Sequence, residues 1–242
     1  MGRRGLTCGM HVHVEVSDSE RIPIIGALRP WTPLLIAVAA SSSFVDGHAT
    51  GYASWRGVLW DGWTTAGPVE PFITSNGYRR AMEAMIASGA AIDEHMLYLD
   101  ARVAERFPTV EVRVADVCAD VDDTMLVAEL ARAMVDTVLE LPQRPWRIDL
   151  LRAARWRASR DGVSGMLLDP TTGSFGEASA AFESAVNALR PALTRSGAAG
   201  PVSERIEHLL LRGTGADRQR EVADRLGLTA VVDDVVERTR SV

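Results

Sequence analysis

The stretch Cys8-Gly-Met-His-Val-His-Val-Glu-Val16 constrains this chain more than any other, because it alternates strictly. Side chains in a strand repeat every two residues, so Met10, Val12, Val14 and Val16 share one face while His11, His13 and Glu15 share the other. A strand with one apolar face needs a packed layer beneath it. The polar face is left to water or to a cavity. Thr109-Val-Glu-Val-Arg-Val114 repeats the pattern, with Val110, Val112 and Val114 facing one way and Glu111 and Arg113 the other. A further strand-like run covers residues 96–101.

The rest of the chain reads as helical. Ser17-Asp-Ser-Glu20 has capping-box spacing and predicts a helix start. Pro30 and Pro33 divide the apolar run 22–40, which makes it a broken, buried helix and not a membrane span. Residues 43–71 are rich in Gly, Ser, Thr and aromatic side chains without a period, the mark of a functional loop. Helices are predicted over 78–87, from a cap near Asp122 to 141, over an arginine-dense 147–160, and over 178–190, 203–211, 217–226 and 231–240. Residues 162–176 read as a turn-rich excursion. The predicted class is α+β, an antiparallel sheet with helices on one face.

With 242 residues, 47% of them hydrophobic and 24% charged, the composition is that of a soluble globular chain. A net charge of −6 gives the whole chain no electrostatic footprint for nucleic acid or anionic membrane. All 26 basic residues are arginines, which excludes a P-loop lysine, a Schiff-base lysine and a lysine general base. Cys8 and Cys118 form no disulfide framework, and no apolar signal core precedes the first strand, so a reduced cytoplasmic protein is expected.

Three polar side chains on one strand face can aim two imidazoles, His11 and His13, at one metal or one anion, or can simply form a hydrated edge. The Glu111 carboxylate suits a hard cation and the Arg113 guanidinium a phosphate or carboxylate; a surface salt bridge is the plainer account. Arg56 stands among aromatic residues, where it can hold an anion in a partly dry site or merely pack. On the arginine-dense helix, Arg157 and Arg160 are the candidates for facing inward. Gly213-Thr-Gly-Ala-Asp-Arg-Gln-Arg220 opens a helix; its amides can cradle phosphate or be an ordinary helix start.

Taken together, these motifs resemble the second type of glutamate–cysteine ligase, the carboxylate–amine ligase family. The matching stretches are Cys8 to Val14, Thr50-Gly-Tyr-Ala-Ser54 with Arg56, Thr65-Ala-Gly67, Thr109 to Asp116, Trp156-Arg-Ala with Arg160-Asp-Gly162, and Gly213 to Arg220, in the family's order. Gly-Met-His-x-His also looks like a glutamine synthetase motif. The resemblance implies a glutamine synthetase-like catalytic fold, present in part, and ATP-dependent joining of a glutamate carboxylate to an amine through an acyl-phosphate. It implies Mg²⁺ or Mn²⁺ on His11 and Glu111, nucleotide contacts from His13, Arg102, Arg157 and Arg160, and substrate or phosphoryl contacts from Arg56 and Arg113. Glutamate and an amine, cysteine by the family's name, are the implied small-molecule substrates.

Family members carry a Glu-Glu-containing strand ahead of the Cys-Gly-Met-His strand, whereas Cys8 here stands seven residues after Met1. The expectation is one N-terminally truncated catalytic domain over 1–242, inactive alone and prone to self-association through uncovered strand edges. The alternatives are a non-catalytic remnant that binds a partner, and a zinc hydrolase using His11 and His13 with Glu15, His48 or His95.

Overall fold

A computed structural model describes residues 7–240. In chain order the elements are β1 (Gly9–Glu15), α1 (Arg21–Leu28), α2 (Thr32–Ala39), β2 (Phe44–Val45), β3 (His48–Ala49), α3 (Trp55–Asp61), α4 (Ser75–Ala87), β4 (Ala101–Val103), β5 (Thr109–Asp116) and α5 (Val121–Thr137). There follow α6 (Ile148–Asp161), β6 (Met166–Leu168), β7 (Phe175–Glu177), α7 (Ala178–Arg195), α8 (Ala199–Arg212), α9 (Gly215–Leu226) and α10 (Leu228–Arg240). This is the α+β class that the alternation predicts.

The main sheet has the order β1-β5-β4, antiparallel throughout, with β5 in the middle. Its valine face, Val14, Val110, Val112 and Val114, is buried in the main core, against α1, α2 and α5. Every residue of α2 is buried, as befits a helix apolar all round. It meets α1 at a 65° bend, and no single described helix is long and apolar enough to cross a membrane.

Two features position the polar face. The register shifts between Met10 and Val12, so that one residue of β1 spans two of β5 and the sheet bulges there. Across the regular part, His13 pairs with Glu111 on one side and Arg102 pairs with Glu111 on the other. Glu111 is therefore flanked by a side chain from each neighbouring strand.

Several boundaries differ from those predicted. The strand-like run 96–101 is mostly a 3-10 turn and loop, and only Ala101–Val103 pairs with β5. The excursion at 162–176 holds a hairpin, β6 with β7, whose three-residue strands are too short to show a period. The helix expected from a cap near Asp122 starts two residues earlier, capped by Asp120, whose side chain accepts from the Asp122 N–H, and ends at Thr137. Residues 21–28 are helical, but the N-cap Glu20 makes no side-chain cap hydrogen bond.

Candidate functional site

Glu111 is the centre of the polar face. Its side chain is 6% exposed, and each oxygen has a partner. Because the carboxylate accepts and cannot donate, His11 Nδ1 donates to Oε1 at 2.8 Å, which turns His11 Nε2 outward from the pair. His13 Nε2 stands 3.8 Å from the same oxygen, while His13 Nδ1 and the Thr109 hydroxyl are 2.9 Å apart. Arg102 Nε donates to Oε2 at 2.7 Å, and Arg113 Nε lies 3.5 Å from Oε1. Burial alone would raise the Glu111 carboxyl; hydrogen bonds from His11 and Arg102 and the charges of Arg113 and Arg102 overcome it and lower the group to about 2.

Arg113 is itself buried. Burial first, and then the charge of Arg102, depress its guanidinium to about 10, against the opposing pull of Glu111. Its Nη1 donates to the Leu97 carbonyl at 3.0 Å, and its plane sits over Trp60 and Tyr98. Arg113 Nε keeps an N–H without a hydrogen-bond partner among the described residues. The cluster thus joins one carboxylate to two guanidiniums and two imidazoles. Its surplus is cationic, which suits an anion.

The cation site that the resemblance implies is not complete among the described residues. Among the described residues no group of three or more His, Cys, Asp or Glu side chains is placed to hold a metal ion. The physical reason is on the page: both oxygens of Glu111 are engaged, by His11 and by Arg102, and Arg113 adds a second positive charge. Mg²⁺ is held by one or two carboxylates together with waters and substrate phosphates, and Glu111 would have to release a partner to join such a set. Nor, among the described residues, do His11 and His13 gather with Glu15, His48 or His95 into a group that could hold zinc.

Arg56 lies close to Arg113, but its polar groups are spent on the backbone. Its Nη1 and Nη2 donate to the carbonyls of Val114 and Arg113 at 3.0 and 2.8 Å, at the bulge, and its guanidinium lies over Trp60. It clamps the sheet, and an anion there would have to displace these bonds.

Arg157 and Arg160 do not turn inward. Arg157 pairs with Asp161 one turn away, and Arg160 bonds the Gly51 carbonyl and lies over Tyr52. The inward arginine of α6 is Arg155, which bonds Asp100 and Asp61. Leu151, Ala154, Arg155 and Ala158 are all buried on one helical stripe, so the spacing i, i+3, i+4, i+7 was the signal that finds it.

The Gly213–Arg220 motif is a helix start and no phosphate cradle. Thr214 and Asp217 form a capping box, Ala216 N–H donates to the Ala40 carbonyl, and Gln219 bonds Ser41 and Ser43. A buried carboxylate that sequence reasoning passed over, Asp116, accepts from Ser42 and Ser54 hydroxyls and the Ser41 N–H; burial raises its pKa in spite of them.

The fold defines a class. It is similar to the 2.0 Å crystal structure of a glutamate–cysteine ligase from Francisella tularensis in complex with AMP, with a TM-score of 0.65 over 93% of this chain and 59% of that one. The sequences are 13% identical there, so this likeness is one of fold alone. The model of the glutamate–cysteine ligase family 2 matches residues 1–239, and this chain belongs to that family. A Frankia alni protein named "Putative glutamate--cysteine ligase 2-2" is 44% identical over 241 residues, 97% of this chain and 62% of that protein. Similarly named proteins of Streptomyces avermitilis and a Nocardioides species are 40% and 42% identical over 97% and 100% of this chain, and it covers 67% and 65% of them. The chain spans about 62% of the length of the Frankia protein.

Proposed function

We propose that this chain carries part of the active site of an ATP-dependent carboxylate–amine ligase. In the reaction a glutamate side-chain carboxylate oxygen attacks the terminal phosphorus of ATP and ADP leaves. The nitrogen of an amine, cysteine being the one the family name suggests, then attacks the acyl carbon, phosphate departs, and the amine loses a proton. The product is a γ-glutamyl amide.

One observation supports the reading most: Arg102, Arg113, His11 and His13 converge on the single carboxylate of Glu111. Transfer of a phosphoryl group needs mainly positioning and charge neutralisation. In this reading Arg113 and Arg102 neutralise the transferring group, His13 touches the nucleotide phosphates, and Glu111 holds both guanidiniums and His11 in place beforehand. A divalent cation, which the resemblance implies, would neutralise further phosphate charge when bound. The described residues do not make a place for it, so the 242-residue chain is expected to bind nucleotide weakly and not to turn over.

A second reading, a non-catalytic binding module, is favoured by that same incomplete donor set. The free cysteines and small polar substrates fit a cytoplasmic protein, and self-association is expected of it. The test is ADP release from the pure chain supplied with Mg²⁺, ATP, glutamate and an amine. No glutamate-dependent release is expected, and steady release requiring both substrates would refute the inactivity. Nucleotide binding that depends on Arg102 and Arg113 separates the ligase site from the binding module.

A further inference from the structure

A cleft of about 520 Å³ opens between the loop 62–68 and the exposed face of α6. Its lining includes Trp63 and Thr64 on the loop and Arg152 and Trp156 on the helix. Arg152 and Trp156 are four residues apart, so they point to the same side of α6. The volume is that of a small-molecule site.

Three facts set this cleft apart from a chance depression. Trp156 is 47% exposed, yet its ring is held in place by a hydrogen bond from Nε1 to the Tyr52 hydroxyl at 3.2 Å. A large aromatic ring fixed at a cleft wall and left facing water is a stacking surface without its partner. Arg152 is exposed and makes no hydrogen bond or ion pair among the described residues, so its charge is open to a ligand. The one carboxylate in the lining, Asp61, has its Oδ1 engaged by Arg155 Nη2 at 2.7 Å.

The walls are also pre-set. The Asp61–Arg155–Asp100 chain ties the end of α3 to α6 and to the segment before β4. On the loop, Thr65 Oγ1 donates to the Met96 carbonyl at 2.7 Å and accepts from the Tyr98 N–H at 3.3 Å. Trp63 packs on Tyr98 with ring centroids 5.3 Å apart. Such a cleft needs little ordering when a ligand arrives.

From these residues we infer that the cleft binds a small planar anion, an aromatic ring carrying a carboxylate or a phosphate, with the ring against Trp63 and Trp156 and the anionic group on Arg152. The inference stands apart from the ligase reading, since it uses none of the residues around Glu111.

Calorimetric titration of the full chain tests it with four probes: indole-3-acetate, AMP, indole-3-acetamide and acetate. Indole-3-acetate or AMP is expected to bind saturably, and loss of that binding in Arg152→Ala assigns it to the cleft and not to the arginines around Glu111. The uncharged amide and the ringless acetate are each expected to bind at least tenfold more weakly. Arg152→Ala, at an exposed position that leaves the fold intact, should weaken the binding probe at least tenfold, with partial recovery in Arg152→Lys; Trp156→Ala should do likewise. The inference is overturned if neither acid saturates below about 10 mM, or if Arg152→Ala leaves the affinity of the bound acid unchanged.

Discussion

The Arg56 guanidinium lies across Gly9, its Cζ 2.7 Å from where a β-carbon on that glycine would stand. Only a residue without a side chain lets Arg56 reach the carbonyls of Arg113 and Val114 at the bulge. Gly9→Ala is therefore expected to destabilise the fold by about 1–3 kcal/mol, the usual cost of overpacking. Denaturant unfolding monitored by circular dichroism checks this, and a variant as stable as the parent would show that Arg56 has room to move.

Glu111 makes the fold sensitive to acid. Its carboxyl is lowered in the folded chain to about 2 from an ordinary 4.5, so the stability it contributes is complete above pH 4.5 and is lost as the pH falls towards 2. The contribution at neutral pH is at most about 3 kcal/mol. Unfolding free energies of the parent and of Glu111→Gln should differ most at neutral pH and converge below pH 4.5. A gap that stays constant with pH would mean that the charge of Glu111 is not what holds Arg102 and Arg113.

Asp100 and Arg155 should behave as a unit. Both are buried, and the pair is joined by a hydrogen bond from Arg155 Nη1 to Asp100. Removing Arg155 leaves the buried Asp100 charge unpaired, at a cost of about 3–5 kcal/mol. Arg155→Leu is expected to cost in that range, Asp100→Asn less because Arg155 keeps its bond to Asp61, and the double variant clearly less than the two added together. Strict additivity in a double-mutant cycle would show that the pair is not coupled.

The two cysteines should differ in reactivity. Cys8 is exposed, whereas burial, helped by Asp123, pushes the Cys118 thiol up to about 12. A thiolate is the reactive form, so the native chain should consume one equivalent of a thiol reagent quickly and the second only on unfolding. Rapid reaction of both thiols would contradict the partial burial of Cys118.

The sheet and its polar face were legible in the sequence because a period of two is unmistakable when one face is valine. His11, His13, Glu111 and Arg113 were found that way, and the strands do bring them together. What the pattern could not show was how the strands slide past one another. The bulge after Met10 creates the open carbonyls that claim Arg56, and nothing in the local sequence announces it. Arg155 was legible in principle, since its helical stripe is apolar, but the crowd of arginines drew the reading to Arg157 and Arg160. The hairpin of β6 and β7 was hidden because three residues do not make a period.

The central claim is that the cluster around Glu111 holds the phosphates of a nucleotide, and titration of a non-hydrolysable ATP analogue into the 242-residue chain tests it most directly. Arg102 is the residue to change, because it bonds Glu111 from an edge strand and makes few other contacts. The account predicts measurable binding by the parent, weakened at least tenfold in Arg102→Ala and further in Arg102→Ala with Arg113→Ala, in line with about 1.5–3 kcal/mol for a charged hydrogen bond. Equal affinity in parent and Arg102→Ala, or no binding by the parent at all, would contradict it.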